Sequence, residues 1–168
     1  MSGQFQVYKK LGALQASLIR YTPPVPTEGK KHRSGAIYLE VSNCTDYEKK
    51  VYDWANKVGF ALFPGDINQI FNDLRLNPGN EIKLIHKKDK TIKSLTIRPG
   101  DPNNDRYRGT WMFMFTETTG SNKKSVTIPI SGGEFETFVT LIRAALPAIH
   151  GWDISGVQEV ERARNRTY

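Results

Sequence analysis

An α+β fold built mainly from antiparallel hairpins is predicted by three features of the sequence. Two pairs of alternating runs, Glu81 to Arg98 and Thr110 to Ile130, each double back through a short polar segment. A short amphipathic repeat follows Pro64-Gly-Asp66, and a longer one follows Ser131. The 168 residues, 38% of them hydrophobic, are enough for one packed domain over 1–152 and too few for two full ones.

Taken in order, Phe5 to Lys10 and Ala13 to Arg20 are β-prone runs separated at Gly12, where a bulge or bend is expected. Residues 22–35 hold three prolines and the Lys30, Lys31, Arg33 cluster, a composition that predicts a mobile loop. Ala36 to Asn43 alternates, with Ile37, Leu39 and Val41 on one face and Tyr38, Glu40 and Ser42 on the other. Tyr47 to Phe63 fits two periods: Val51, Trp54, Ala55 and Val58 are spaced as in a helix, while Val58, Phe60 and Leu62 alternate as in a strand. Ile67, Ile70, Phe71 and Leu74 then predict a short helix, with Asp66 as its N-cap and Asn77-Pro-Gly79 as its stop.

The first hairpin turns at Lys88-Asp-Lys90 and the second through a loop at Thr118-Thr-Gly-Ser-Asn122. Pro99 to Arg108 is turn-rich. Ser131 with Glu134 has capping-box spacing, and Phe135, Phe138, Val139, Ile142, Ala145 and Leu146 form one apolar helix face, which Pro147 kinks or ends. Residues 153–168 carry Arg162, Arg164 and Arg166 and are expected to be a basic, solvated tail.

The 24 Lys and Arg against 17 Asp and Glu give a formal charge of +7, which favours a polyanionic partner without choosing one. Metal and nucleophile chemistry finds no footing. The three histidines are scattered, the single cysteine has no motif around it, and no Gly-x-Ser-x-Gly elbow or phosphate-binding glycine loop is present. The sequence therefore calls for no cofactor, no metal and no small-molecule substrate, and predicts a non-enzyme with no membrane span. What remains is basic and aromatic residues interleaved on strands, with six cations against two acids between Glu81 and Arg98. Cations neutralise phosphates and aromatic faces stack on bases, a pairing suited to single strands of any sequence. The bland alternative is a solvated charged face over buried aromatics, with Trp111, Phe113 and Phe115 all in the core.

Laid out in this order, the chain resembles the Whirly family of single-stranded DNA-binding proteins. Val7-Tyr-Lys-Lys-Leu-Gly-Ala-Leu14 is similar to the family's Val-Tyr-Lys-Gly-Lys-Ala-Ala-Leu strand. Tyr52-Asp-Trp54 with Lys57 and Phe60-Ala-Leu62 looks like its Tyr-Asp-Trp segment and following strand. His86, Lys93, Leu95 and Pro99, then Ile128-Pro-Ile-Ser131, Glu134-Phe135, Pro147 and Gly151-Trp152, fall in the order of its later blocks. The resemblance implies two packed four-stranded antiparallel sheets, a strand near Lys57 to Phe63, and two helices that assemble four protomers. Single-stranded DNA, and on the same sheet RNA, would lie across the sheets against aromatic and apolar side chains. Leu11 stands where the family's motif has its second Lys, a residue that supports assembly into larger particles. The loop after Pro99 and the strand Thr110 to Glu117 match poorly.

The expected function is coating and protection of single-stranded DNA in replication, recombination or repair, by a homotetramer. An RNA-binding annealing or regulatory factor and a basic protein-interaction module are the alternatives. Lys9, Lys10, Lys57, Lys83, Lys87 and Lys93 are the expected phosphate contacts. Tyr8, Tyr38, Trp54, Phe60 and Trp111 are the expected stacking rings, and Phe135, Phe138, Ile142 and Trp152 are assigned to packing or the oligomer interface. With no leader legible and a basic tail, the expected setting is the cytoplasm or nucleoid of a prokaryote or a virus-infected cell, or an organelle matrix for a trimmed chain.

Overall fold

The computed structural model describes residues 4–22 and 34–152. The expected mobile loop (at 23–33) and the basic tail therefore lie outside the described residues. The first sheet contains β1 (Phe5–Tyr8), β2 (Gly12–Ile19), β3 (Ala36–Asp46), β4 (Val51–Tyr52) and β5 (Val58–Leu62). All its pairings are antiparallel, in the order β1-β2-β3, and the far edge of β3 is shared by β5 and the two-residue β4. The sheet is thus four strands wide. Helix α1 (Pro64–Leu76) leads to the second sheet, a meander of β6 (Ile82–Lys88), β7 (Thr91–Pro99), β8 (Thr110–Thr119) and β9 (Asn122–Ser131). Helix α2 (Gly132–Ile149) closes the described chain.

The period-two pattern fixes which faces meet. Val7, Leu14, Leu39, Val41, Val58, Phe60 and Leu62 of the first sheet are buried with Leu84, Leu95, Ile97, Phe113, Phe115, Val126 and Ile128 of the second. The inner faces of both sheets and the apolar faces of α1 and α2 form one core, and burying it is the main stabilising term. The segment with two periods resolves as a strand because β5 pairs residue by residue with β3, from Ile37 with Leu62 to Val41 with Val58. Tertiary pairing overrides the helical spacing, which survives only as the single 3-10 turn Trp54–Asn56.

Two local expectations are corrected and a third is narrowed. Gly12 follows a bend at Lys10 and Leu11 and marks no bulge: Lys9 N–H donates to the Gly12 carbonyl at 2.8 Å, closing a hairpin between β1 and β2. Glycine is required there because a Cβ would run into the Ser42 carbonyl of β3. Asp66 is not the N-cap of α1; Phe63 is, and Asp66, three residues on, accepts the Phe63 N–H at 2.8 Å. The loop of the second hairpin shrinks to Gly120-Ser121, since Thr119 pairs with Asn122 and Gly120 takes φ 59°. The longer helix has the expected cap: Ser131 Oγ accepts Glu134 N–H, and the Glu134 carboxylate accepts Ser131 N–H at 2.8 Å. Pro147 sits in the last turn without stopping it, and the helix runs on to Ile149.

Of the two roles assigned to Phe135, Phe138 and Ile142, packing is the one seen, and the interface role is corrected. They are 2%, 1% and 1% exposed within one protomer, so their side chains are spent on its own core. Gly12→Ala should lower stability by about 1 to 3 kcal/mol, because the contact it creates is with backbone that cannot swing aside. Urea denaturation checks this.

Candidate nucleic-acid interface

Where the ends of β3 and β5 approach the tip of the β6–β7 hairpin, the two sheets diverge and leave an open groove of about 780 Å³. Its first wall carries Tyr38 and Phe63, and its second carries Ile85, Lys87, Lys88 and Lys93. Its floor is small. Gly59 and Ala61 sit on the outer face of β5, and the Tyr38 ring lies so close over Gly59 that any Cβ there would collide with it. A smaller depression lined by Ile19, Ala36, Tyr38, Ala61 and Phe63 continues the groove along the first sheet.

One carboxylate sets the walls. Asp66 accepts the Phe63 N–H, and both its oxygens lie 3.0 Å from His86 Nε2. The imidazole in turn stacks on Phe60 at 4.4 Å between centroids and meets Phe63 at 5.7 Å. This contact holds Phe63, 45% exposed, with its ring toward the groove. Phe60 itself is 1% exposed, so it supports the groove from beneath and cannot stack on a base; that expectation is corrected.

Of the expected phosphate contacts, Lys87 and Lys93 line the groove and Lys83 stands two residues beyond Ile85 on the same face of β6. Lys83, Lys87 and Lys88 have no ion pair among the described residues. Three others are already engaged: Lys9 with Glu134 at 2.8 Å, Lys93 with Glu117 at 2.8 Å, and Lys57 with Glu40. The Glu40 hydrogen bond, followed by its charge, raises the Lys57 pKa. Burial pushes the Glu40 carboxyl up, but the hydrogen bonds from Lys57 and Gln15 outweigh it and hold the group below the ordinary range.

The remaining expected residues lie elsewhere. Tyr8 and Lys10 are at the opposite end of the first sheet's outer face, Tyr8 at 5.3 Å from the Tyr52 ring and Lys10 over Tyr47 at 5.6 Å. Trp54 is half-buried in the 3-10 turn beside the end of β3, where Asp53 N–H donates to the Asn43 carbonyl. Trp111 points to the inner side and stacks on Phe135 at 4.1 Å, so one of its faces is already covered and its place among the stacking rings is corrected. Trp152 is 76% exposed just past α2. Phe63, Lys88, Gly59 and Ala61 are the groove residues that sequence reasoning missed. The signal existed: continuing the alternation of Val58, Phe60 and Leu62 puts Gly59, Ala61 and Phe63 on the outward side.

Residues 7–141 match the Whirly transcription factor family. The chain belongs to that family. A search of curated proteins returns no match. Among solved structures this Whirly chain is similar to WHY1 from Arabidopsis thaliana, with a TM-score of 0.76 at 19% identity over 97% of this chain and 93% of the other. WHY3 from the same plant gives 0.76 at 20% identity, covering 98% and 97%. The plant transcriptional regulator PBF-2 gives 0.74 at 19% identity, covering 95% and 88%. The two-sheet Whirly fold is thereby shown. The expectation of a prokaryotic or viral setting is overturned, because these similar Whirly structures are plant proteins.

Glu134 supplies a pH test. Burial pushes its carboxyl up, yet the Lys9 and Ser131 hydrogen bonds outweigh this and hold it below the ordinary 4.5. A depressed carboxylate adds stability above its unfolded pKa and loses it as pH falls through the folded value. Glu134→Gln keeps the capping box while removing the charge. The variant should therefore be less stable at neutral pH, by up to about 1 kcal/mol for so exposed a pair, and the gap should close below pH 4.5 in paired urea titrations.

Proposed function

We propose that this Whirly protein binds single-stranded DNA without sequence preference, and coats and protects exposed strands in replication, recombination or repair. The observation that carries this reading is the groove: two accessible aromatic rings, Tyr38 and Phe63, over a glycine and alanine floor, with Lys87 and Lys88 along the rim. Every base has a π-face, so stacking on such rings is worth about 1 to 3 kcal/mol per base whatever the sequence. Tyr38 already covers Gly59, so the surface offered to a base is the Tyr38 and Phe63 rings themselves. In a duplex the bases are stacked on one another and cannot enter. The rim lysines suit phosphate, and phosphate contacts carry no sequence information.

We also propose that the particle is a homotetramer assembled through the helices. α1 and α2 leave a groove between them lined by Phe71, Leu74 and Val139, with Leu76 exposed at the end of α1, and another side of α2 exposes Leu141 beside a second apolar groove lined by Phe5 and Leu18. Apolar area of this kind on the helices is what association would remove from water. Sedimentation velocity should find a particle of four 19.0 kDa chains, and Leu141→Glu should shift it to smaller species.

Fluorescence anisotropy with a labelled strand of about 30 nucleotides tests the binding reading, with duplex and RNA of the same sequence as competitors. Single-stranded DNA should compete and duplex should not. Phe63→Ala should weaken binding by about 1 to 3 kcal/mol. Lys87→Ala with Lys88→Ala should flatten the salt dependence by about 0.7 per lost contact. Absence of binding at low salt would overturn the reading.

A further inference from the structure

Besides Asp89, which lines the groove at the hairpin tip, two carboxylates stand just behind its lining. Glu40 is on the outer face of the first sheet, register-paired with Gln15 on one side and Gly59 on the other, in the row between Tyr38 and Tyr8. One of its oxygens is held by Lys57 Nζ and the other accepts Gln15 Nε2 at 2.7 Å. Glu117 extends the inner face of the second sheet past Phe115, and its Oε2 lies 2.8 Å from Lys93 Nζ. The same ammonium donates to the Gly59 carbonyl at 3.0 Å. Both pairs therefore flank the groove floor at Gly59. In each pair the carboxylate is the deeper member: Glu40 is 15% exposed against 45% for Lys57, and Glu117 is 24% exposed against 34% for Lys93. A phosphate arriving from solvent meets the cation first, and finds it already neutralised from behind.

We propose that Glu40 and Glu117 are internal competitors for phosphate, which set how tightly this chain holds a single strand by making Lys57 and Lys93 leave a carboxylate before they engage the backbone. The proposal rests on the groove being the strand-binding site. Its physical content is an ion count. A free lysine that meets a phosphate releases the phosphate's condensed counterion, which gives single-strand binding a salt slope of about 0.7 per contact. When the lysine comes from a glutamate, the carboxylate left behind recruits a cation, and the net release from that contact falls toward zero. Removing the carboxylate's charge restores both the release and the affinity. The competitors would thus keep the strand exchangeable, since Lys83, Lys87 and Lys88 remain available to hold it while the paired lysines come and go.

Glu40→Gln and Glu117→Gln are the clean variants, because glutamine keeps the shape and a carbonyl acceptor for the lysine. Anisotropy titrations of the strand across a range of salt should show each glutamine variant binding about two- to fivefold tighter at low salt, the scale expected for a partly exposed ion pair. The salt dependence should steepen by up to about 0.7 per variant. Unchanged or weaker binding with an unchanged slope in both variants, while the Lys87 and Lys88 double variant still loses affinity, would overturn the competition and leave the groove reading standing. A wild-type chain that binds no strand at any salt would overturn both. Glu40 and Glu117 sit in different sheets, so either variant carries the test if the other fails to fold, which thermal melts report.

Discussion

The chain crosses from one sheet to the other once, through α1, and the Asp66 carboxylate fixes that crossing. It closes the first turn of the helix on Phe63, the residue that leaves β5, and it engages His86 of β6. One side chain thus ties the last strand of the first sheet, the start of the helix and the edge strand of the second sheet. The carboxylate also lies in the first turn, at the positive end of the helix dipole. Phe63 and His86, the two residues it holds, both line the groove between Tyr38 and the β6–β7 tip.

Charge in this protein is distributed by depth as much as by residue type. The excess of cations gives the whole molecule a positive field, which governs how a polyanion approaches. Close to the surface the picture is finer. Lys57 and Lys93, which flank the groove floor, are matched by glutamates, and Lys87 and Lys88 at the β6–β7 tip have no ion pair among the described residues. A polyanion is drawn in by all of them but held first by those at the tip.

Much of the fold was legible because its elements are local. The β6–β7 hairpin, the β8–β9 hairpin and α2 each announce themselves within a few residues, through alternation, turn chemistry and the Ser131 and Glu134 box. β5 was not legible from the residues alone, since Val51 to Leu62 satisfies two periods and only pairing with β3 chooses between them. The candidate site was legible in type and poorly in position. Lys9 and its partner are 125 residues apart in sequence, so no local pattern shows that the cation is engaged. Phe60 and Phe63 differ only in which way the strand turns them. One became core and the other groove wall, a distinction that requires knowing where the second sheet stands.

β9 runs into α2 without an intervening residue: Ser131 is at once the last residue of the strand and the cap of the helix. A connection with no slack transmits torque. The helix cannot pivot on the domain without unzipping the end of β9 from β8, where Thr110 pairs with Ser131, so sheet and helix behave as one rigid lever. Any load placed on the helices by a neighbouring molecule would be felt at the strands, and the far end of that lever is the face from which the β6–β7 tip projects.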